Sequence, residues 1–233
     1  VGNFYASTRY IDPAAAKAAA DNGDMSAVLA NTSNTVAADV VNLGSINADK
    51  VVVEGQNVRF LDSNSVTSSG VTTKANGYIH IGNSTGGDAG YTGKTLSGSA
   101  NAPVYYKLIN SMSAVTGSGN YMLSGNILGG SGFAGTFSGD FDGMGYTITG
   151  MAASKGLFAQ TNNARIYNLG IVNSTIKDTA GDYAGAVVGK ATNTLLENVY
   201  NSGSGVSAGD AYVGGGLIGI ADGVTINNCY NTG

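Results

Sequence analysis

The sequence predicts an all-β protein, a right-handed parallel β-helix (solenoid) with a short lateral N-terminal α-helix. Three observations lead to this prediction. A 30-residue unit occurs three times towards the C-terminus. Glycine accounts for 37 of 233 residues, about twice its usual share, without the Gly-X-Y period of collagen. Strand-favouring Val, Ile, Thr and Tyr are frequent between Gly, Asn and Asp, which favour turns.

The repeat appears at a 30-residue offset, which aligns segments from Lys155, Gly185 and Gly215 without a gap. A unit this short cannot enclose a core alone, so we expect successive units to stack and bury matched apolar side chains. Neighbouring windings of such a stack lie about 4.8 Å apart. The matched columns include Leu157, Val187 and Leu217; Phe158, Val188 and Ile218; Ala159, Gly189 and Gly219; Ile166, Leu196 and Ile226; and Leu169, Val199 and Cys229.

One polar column consists of Asn168, Asn198 and Asn228. A side-chain amide both donates and accepts hydrogen bonds, so each asparagine is expected to bond the next along a structural ladder. The alternative is that each is a turn residue with left-handed backbone, and both interpretations can hold together. Cys229 stands where the other repeats have Leu and Val, which predicts a small buried side chain rather than a nucleophile.

Gly214-x-Gly216-x-x-Gly219 has the spacing of a dinucleotide-binding loop. Such a loop must open a helix, whose N-terminal amides hold the pyrophosphate. Here Gly219 is followed by the turn Ala221–Gly223 and then by Val-Thr-Ile, which is typical of a strand. The pattern therefore predicts glycines needed for packing and turns, and we predict no cofactor.

Two regions are predicted, residues 1–100 and 101–233, separated near a Ser/Gly-rich stretch at 83–100. In the first region, Asp12 as N-cap, Pro13 at the first helical position and Gly23 as the stop predict a short helix. The chain begins at Val1 rather than at a methionine, and we expect it to be a processed or excised part of a longer protein.

Composition argues against several classes of partner. The net charge is −4 and the 11 basic residues are scattered, so we predict no nucleic-acid partner. No apolar run reaches the roughly 20 residues of a membrane helix, so we predict no membrane insertion. The single cysteine excludes an internal disulfide and a cysteine-based zinc cluster, and we predict no metal site.

Residues 104–233 resemble the GLUG-repeat regions of bacterial surface proteins. The likeness is carried by "GNYMLSGNI" (119–127), "FSGDFDGMGYTITGM" (137–151) and the repeat core ending in "INNCY". The name-giving element is plainest as Gly216-Leu217-Ile218-Gly219. The first repeat has Ala159 in place of the final glycine, and the second reads Ala186-Val187-Val188-Gly189.

Residues 1 to about 75 resemble filamentous-haemagglutinin-like adhesins of two-partner secretion, through "VGNFYASTRYI" (1–11) and "VVNLGSINADKVVVEGQNVRF" (40–60). The two resemblances together imply a right-handed β-helix that is exported through an outer-membrane transporter. They also imply a secreted protein at the bacterial cell surface, with a role in attachment to a glycan or protein receptor. The protein is accordingly not expected to be an enzyme.

Tyr200 and Tyr230 occupy one repeat position, where the first copy has Gly170, and are the candidate binding residues. Stacked tyrosines offer a platform for sugar rings, and the alternative is an aromatic ladder that packs the solenoid's own flank.

Two functional alternatives stay open, a polysaccharide-processing β-helix enzyme and a purely structural stalk. An enzyme needs clustered carboxylates, and the best pair is Asp140 and Asp142. Strand alternation turns Phe137 and Phe141 inward, so both aspartates are expected to face solvent. The only histidine, His80, is expected at the surface.

Overall fold

The computed structural model describes residues 40–43, 46–47, 51–55, 57–61, 66–67, 71–75, 79–87, 104–180, 182–209 and 213–233. The protein is all-β over these residues, and the described strand pairings are parallel. The helix predicted for residues 12–23 lies outside the described residues, as do residues 88–100 of the predicted junction. The chain forms two compact units that divide between Tyr106 and Lys107.

The first unit contains short parallel strands whose pairing offset varies. The strands are β1 Val40–Leu43, β2 Ile46–Asn47, β3 Val51–Gly55, β4 Asn57–Leu61, β5 Val66–Thr67, β6 Val71–Ala75 and β7 Ile79–Asn83. β4 pairs with β1 and β7, β5 pairs with β2, and β6 pairs with β3. Val51 pairs with Val71, whereas Val40 pairs with Asn57, so the distance along the chain between partners differs from one strand pair to another.

The described residues of the second unit form strands and one short 3-10 helix, Met112–Ala114. Strand β8, Val104–Ile109, contains the division between the units. The remaining strands are β9 Tyr121–Leu123, β10 Ile127–Leu128, β11 Phe133–Phe137, β12 Asp140–Asp142, β13 Thr147–Thr149, β14 Ala152–Ala153, β15 Phe158–Asn162, β16 Arg165–Val172, β17 Thr175–Asp178, β18 Tyr183–Gly185, β19 Val188–Thr192, β20 Leu195–Ser202, β21 Gly205–Ala208, β22 Val213–Gly215, β23 Ile218–Asp222, β24 Thr225–Asn227 and β25 Tyr230–Thr232.

The three sequence repeats pair strand against strand at the 30-residue offset. β15, β19 and β23 lie side by side, and Phe158 pairs with Val188, which pairs with Ile218. β20 pairs with β16 on one side and with β24 and β25 on the other. Repeats of equal length place matched residues directly beside each other, so the apolar columns of the sequence become columns across the parallel strands.

The strands before the repeats pair with the first repeat at offsets that are shorter than 30 residues and that differ from strand to strand. Asp140 of β12 pairs with Arg165 at a 25-residue offset, whereas Thr147 of β13 pairs with Gly170 at a 23-residue offset. The segment between β12 and β13 must therefore accommodate additional chain. It contains a turn in which Met144 and Gly145 adopt positive φ angles of 57° and 82°.

The apolar columns form one core inside the stack. Phe137, Phe141 and Phe158 are fully buried. The rings of Phe137 and Phe158 stack with centroids 4.7 Å apart, and Phe141 meets Phe158 edge to face at 5.4 Å. Burying each such side chain contributes about 1.5–3 kcal/mol, so this core is the main stabilising term of the second unit. It continues through Leu157, Ile166, Leu169, Ile171, Val187, Val188, Leu196 and Val199.

Left-handed backbone recurs at regular positions along the repeats. In the first repeat, Asn163, Asn168 and Asn173 have φ of 53°, 52° and 45°. Asparagine and glycine adopt this conformation most readily, because other side chains crowd the carbonyl oxygen. The later repeats keep the same rule with Asn193, Asn198, Gly203, Gly223 and Asn228.

Candidate functional site

The outer face of strands β16, β20 and β25 carries both groups of residues singled out in the sequence. Along β20, Leu196 and Val199 are buried, whereas Asn198 is exposed and Tyr200 is half-buried. The left-handed backbone of Asn198 shifts the alternation of side chains within β20, so Leu196 and Val199 both face the core and Asn198 and Tyr200 lie on the outside. The parallel pairing then repeats this arrangement on the next winding.

The three asparagines form a continuous hydrogen-bonded column. Asn228 Nδ2 donates to Asn198 Oδ1 at 2.6 Å, and Asn198 Nδ2 donates to Asn168 Oδ1 at 3.1 Å. All three residues also have left-handed backbone. The structure thus combines the ladder and the turn residue, the two interpretations that the sequence left open.

The ladder ends on a buried carboxylate that the sequence did not place there. Asn168 Nδ2 donates to Asp142 Oδ1 at 3.0 Å, and the Met144 amide donates to the same oxygen at 2.9 Å. Asp142 is fully buried, so its predicted exposure to solvent is wrong. The reason is the 25-residue offset of β12, which brings Asp142 beside Tyr167 and next to the asparagine column.

Asp140 also has partners, so the prediction that it faces solvent is wrong as well. Its side chain is 16% exposed and lies 3.6 Å from Arg165 Nη1. The Tyr167 hydroxyl donates to Asp140 Oδ2 at 3.2 Å. Burial, and then the neighbouring Asp140 carboxylate, raise the pKa of Tyr167 above its usual value, which keeps this hydroxyl a hydrogen-bond donor.

Tyr200 and Tyr230 come together as a stacked pair. Their ring centroids are 5.1 Å apart and their planes differ by 4°. The tip of the Tyr200 ring lies over Gly170, where a β-carbon would collide with it. Glycine in the first repeat therefore leaves the space in which the stack begins. Tyr230 is 55% exposed, which makes it the most accessible part of the pair.

His80 is not at the surface, and that prediction is wrong. It is 2% exposed, and its Nε2 lies 3.1 Å from the Tyr106 hydroxyl. The two rings also contact each other, with centroids 4.5 Å apart. A tyrosine hydroxyl supplies the polar partner that a buried imidazole needs. Nothing in the local sequence around His80 indicated a partner so far along the chain.

The three fingerprint glycines have different surroundings, and none opens a helix. Gly219 belongs to β23, where an added β-carbon would lie 2.6 Å from Gly189 O and 2.7 Å from Ala184 O. At Gly216 it would collide with the Asn231 side chain, whereas at Gly214 its nearest neighbour would be 3.9 Å away. Close approach of neighbouring backbones explains Gly219, as the packing interpretation predicts.

Cys229 is half-buried and packs against the core cluster. Its Sγ accepts from the Val199 amide at 3.4 Å and donates to Asn227 O at 3.1 Å. Burial raises the pKa of the Cys229 thiol, which lowers the thiolate fraction at neutral pH. This environment suits a structural thiol.

Two further observations concern only the part of the chain that the structure describes. It contains no cluster of three or more His, Cys, Asp or Glu side chains arranged to hold a metal ion. None of its helices has the length and apolar character that crossing a membrane requires.

No protein family, curated protein or solved structure matches the chain significantly. The two resemblances drawn from the sequence therefore stay predictions, and the outer face described above supplies the observations for a functional proposal.

The ladder leads to a prediction at its central residue. Asn198→Leu should lower the free energy of unfolding by about 2 kcal/mol, since leucine loses both amide hydrogen bonds and is strained in left-handed backbone. Asn198→Gly keeps the backbone conformation and removes only the hydrogen bonds, so we expect it to cost about 1 kcal/mol. Urea unfolding measures both. Equal losses in the two variants would show that backbone strain plays no part, and no loss in either would contradict the ladder.

Proposed function

We propose that the chain is part of a secreted bacterial adhesin, exported through an outer-membrane transporter and acting in attachment at the cell surface. Its strands wind into a right-handed parallel β-helix. The support for the architecture is the parallel register at a constant 30-residue offset. The hand follows from the general rule that connections between parallel strands are right-handed in about 98% of cases.

The observation that carries the attachment role is the stacked tyrosine pair on the outer face of the repeats. Tyr200 and Tyr230 present aromatic surface with hydroxyl groups, the chemistry that favours contact with sugar rings. The amides of Asn198 and Asn228 lie two positions before the tyrosines on the same windings. Ser202 and Thr232 follow on the other side and add hydroxyl groups. A flat surface of aromatic, amide and hydroxyl groups suits a glycan.

Weak contacts suffice for attachment when many copies of the chain engage one surface. Each engaged copy raises the effective concentration of the others, so avidity exceeds single-site affinity by about 10²–10⁴. We therefore propose a mechanical role, in which repeated windings extend the chain and the outer face makes individually weak contacts.

A glycan array tests this proposal. The wild-type chain, displayed in multivalent form, should bind a subset of glycans, and Tyr200→Ala combined with Tyr230→Ala should reduce that binding by about tenfold, as expected for the loss of an aromatic contact of about 1.4 kcal/mol. Leu128→Ser is the matched control, because Leu128 is 81% exposed on strand β10 outside the proposed surface, and it should leave binding unchanged.

The array and a parallel product assay also separate the alternatives. Formation of new reducing or unsaturated sugar ends would show that the chain is a polysaccharide-processing enzyme rather than an adhesin. Absence of both binding and products would favour a structural stalk. Binding that is unchanged in the double tyrosine variant would support the attachment role and would show that Tyr200 and Tyr230 are not the contact surface.

A further inference from the structure

A small open cavity lies on another part of the second unit, between the start of β11 and the segment that joins β14 to β15. Its volume is about 180 Å³. Pockets for drug-sized ligands measure roughly 300–1,000 Å³, so this cavity has room for one small ring rather than for a larger molecule. Its walls include Phe133, Lys155, Ser131, Ser154 and Ala152.

The largest apolar residue that lines the cavity is Phe133, which also packs against the core. This side chain is only half-buried, although phenylalanines 137, 141 and 158 of the same unit are fully buried in the core. Its ring lies against Gly135, where a β-carbon would be 3.0 Å from Phe133 Cζ. The glycine therefore leaves space for an aromatic face at the surface of the protein.

The polar wall is held by Lys155, and several contacts fix its position. Its Nζ donates to Asp182 Oδ2 at 2.6 Å and lies 4.3 Å from the centroid of the Tyr183 ring. The hydrogen bond to Asp182 raises the pKa of Lys155, so the ammonium keeps its protons. After its contact with Asp182, the ammonium retains donors that can engage a hydroxyl group in the cavity.

Lys155 is also a departure from the repeat. The equivalent positions are Gly185 and Gly215, where an added β-carbon would collide with the backbone. The first winding thus carries a long charged side chain where the other two windings have none. The Lys155 side chain contacts Asp182 and Tyr183, and the residue also lines the cavity.

We propose that this cavity binds one neutral pyranose unit of a glycan, with the sugar's C–H face on Phe133 and its hydroxyl groups towards Lys155 and the rim serines. The inference rests on the proposed attachment function and adds a second contact point and a ligand class to it. An acidic sugar fits less well, because Asp182 already neutralises the only ammonium in the wall and Asp178 lies near it.

Saturation-transfer NMR on the whole chain tests the proposal, with the methyl pyranosides of glucose, galactose and mannose as probes at millimolar concentration. At least one should receive saturation from the wild-type chain. Phe133→Ala should weaken that binding by about tenfold. Ala152→Leu should abolish it by filling the cavity, and this second variant guards against misfolding because Ala152 is exposed and outside the core. Leu128→Ser is the control and should keep the signal, because Leu128 is exposed and lies outside both the cavity and the tyrosine surface.

Each other outcome overturns the inference in a recognisable way. A signal that persists in Phe133→Ala and Ala152→Leu places the binding site outside the cavity, and its loss in Tyr200→Ala combined with Tyr230→Ala assigns it to the tyrosine pair. Methyl glucuronide binding more tightly than methyl glucoside contradicts the neutral class. Absence of transfer to all three probes, combined with a positive glycan array, leaves the attachment function intact and removes this cavity from it. Absence in both experiments removes both proposals.

Discussion

Replacing Gly139 by alanine is expected to lower the free energy of unfolding by about 3 kcal/mol, the upper end of the usual cost of overpacking. Gly139 lies between β11 and β12, and a β-carbon built on it would collide with the carbonyl oxygen of Gly119 and lie 3.0 Å from the Gly119 amide. Both neighbours are backbone atoms in the adjacent winding, so no side-chain rotation can relieve the clash. The two windings would have to move apart, which weakens the parallel pairing of β12 with β9.

Gly205→Ala is the matched control for this variant. Gly205 lies in β21, a β-carbon added there would have no neighbour within 4 Å, and the residue does not adopt positive φ. Alanine there should leave stability unchanged or raise it by about 0.4–1 kcal/mol, through the entropy of the unfolded chain. Denaturant unfolding of both variants decides the matter. Similar losses at the two positions would mean that glycine serves chain flexibility throughout, and not close approach of windings.

The sequence predicts this fold best where the repeat is exact. A constant 30-residue offset assigns each residue of the first copy to a partner in the second, and Asn168, Asn198 and Asn228 meet as that offset requires. The same reasoning brings Tyr200 beside Tyr230. Column positions depend only on winding length, and winding length can be counted in the sequence.

Prediction from the sequence is weaker where windings change length. Strand alternation correctly turns Phe141 into the core, and Asp140 and Asp142 lie on the other side of β12. An outward direction, however, does not mean exposure to solvent. Tyr167, Arg165 and Asn168 of the next winding supply partners for the two aspartates. Finding those partners requires the 25-residue offset of β12, which the longer period of the three repeats does not reveal.

The cavity beside Phe133 was missed for a related reason. It is lined by residues that differ from the repeat, such as Lys155, and by residues before the repeat begins. Aligning copies emphasises what they share, so a site made of differences gives no signal in the alignment. The sequence does show Lys155 at a position where the other two repeats have glycine. Such a difference marks a position at which the repeat pattern does not determine the residue.

Asp142→Ala is expected to lower the free energy of unfolding by about 3 kcal/mol. Alanine removes the acceptor shared by the Met144 amide and by Asn168 Nδ2, and a hydrogen bond to a charged group contributes about 1.5–3 kcal/mol. The Met144 amide bond also supports a turn in which that residue has a φ of 57°. Without it, the strain of left-handed backbone is no longer offset, and the column of asparagine amides loses the carboxylate on which it ends.

Two controls show whether the loss of stability comes from the hydrogen bonds at the end of the asparagine ladder or from the loss of a carboxylate in general. Asp142→Asn keeps an oxygen that can accept from both donors, so its loss should be smaller than that of Asp142→Ala. Asp222→Ala removes an exposed carboxylate from β23 and should change stability by less than about 0.5 kcal/mol. Urea unfolding of the three variants gives the ranking. Equal changes in the free energy of unfolding for Asp142→Ala and Asp222→Ala would show that the asparagine column does not depend on the Asp142 carboxylate. The hydrogen bonds along the column would then have to stabilise each repeat independently.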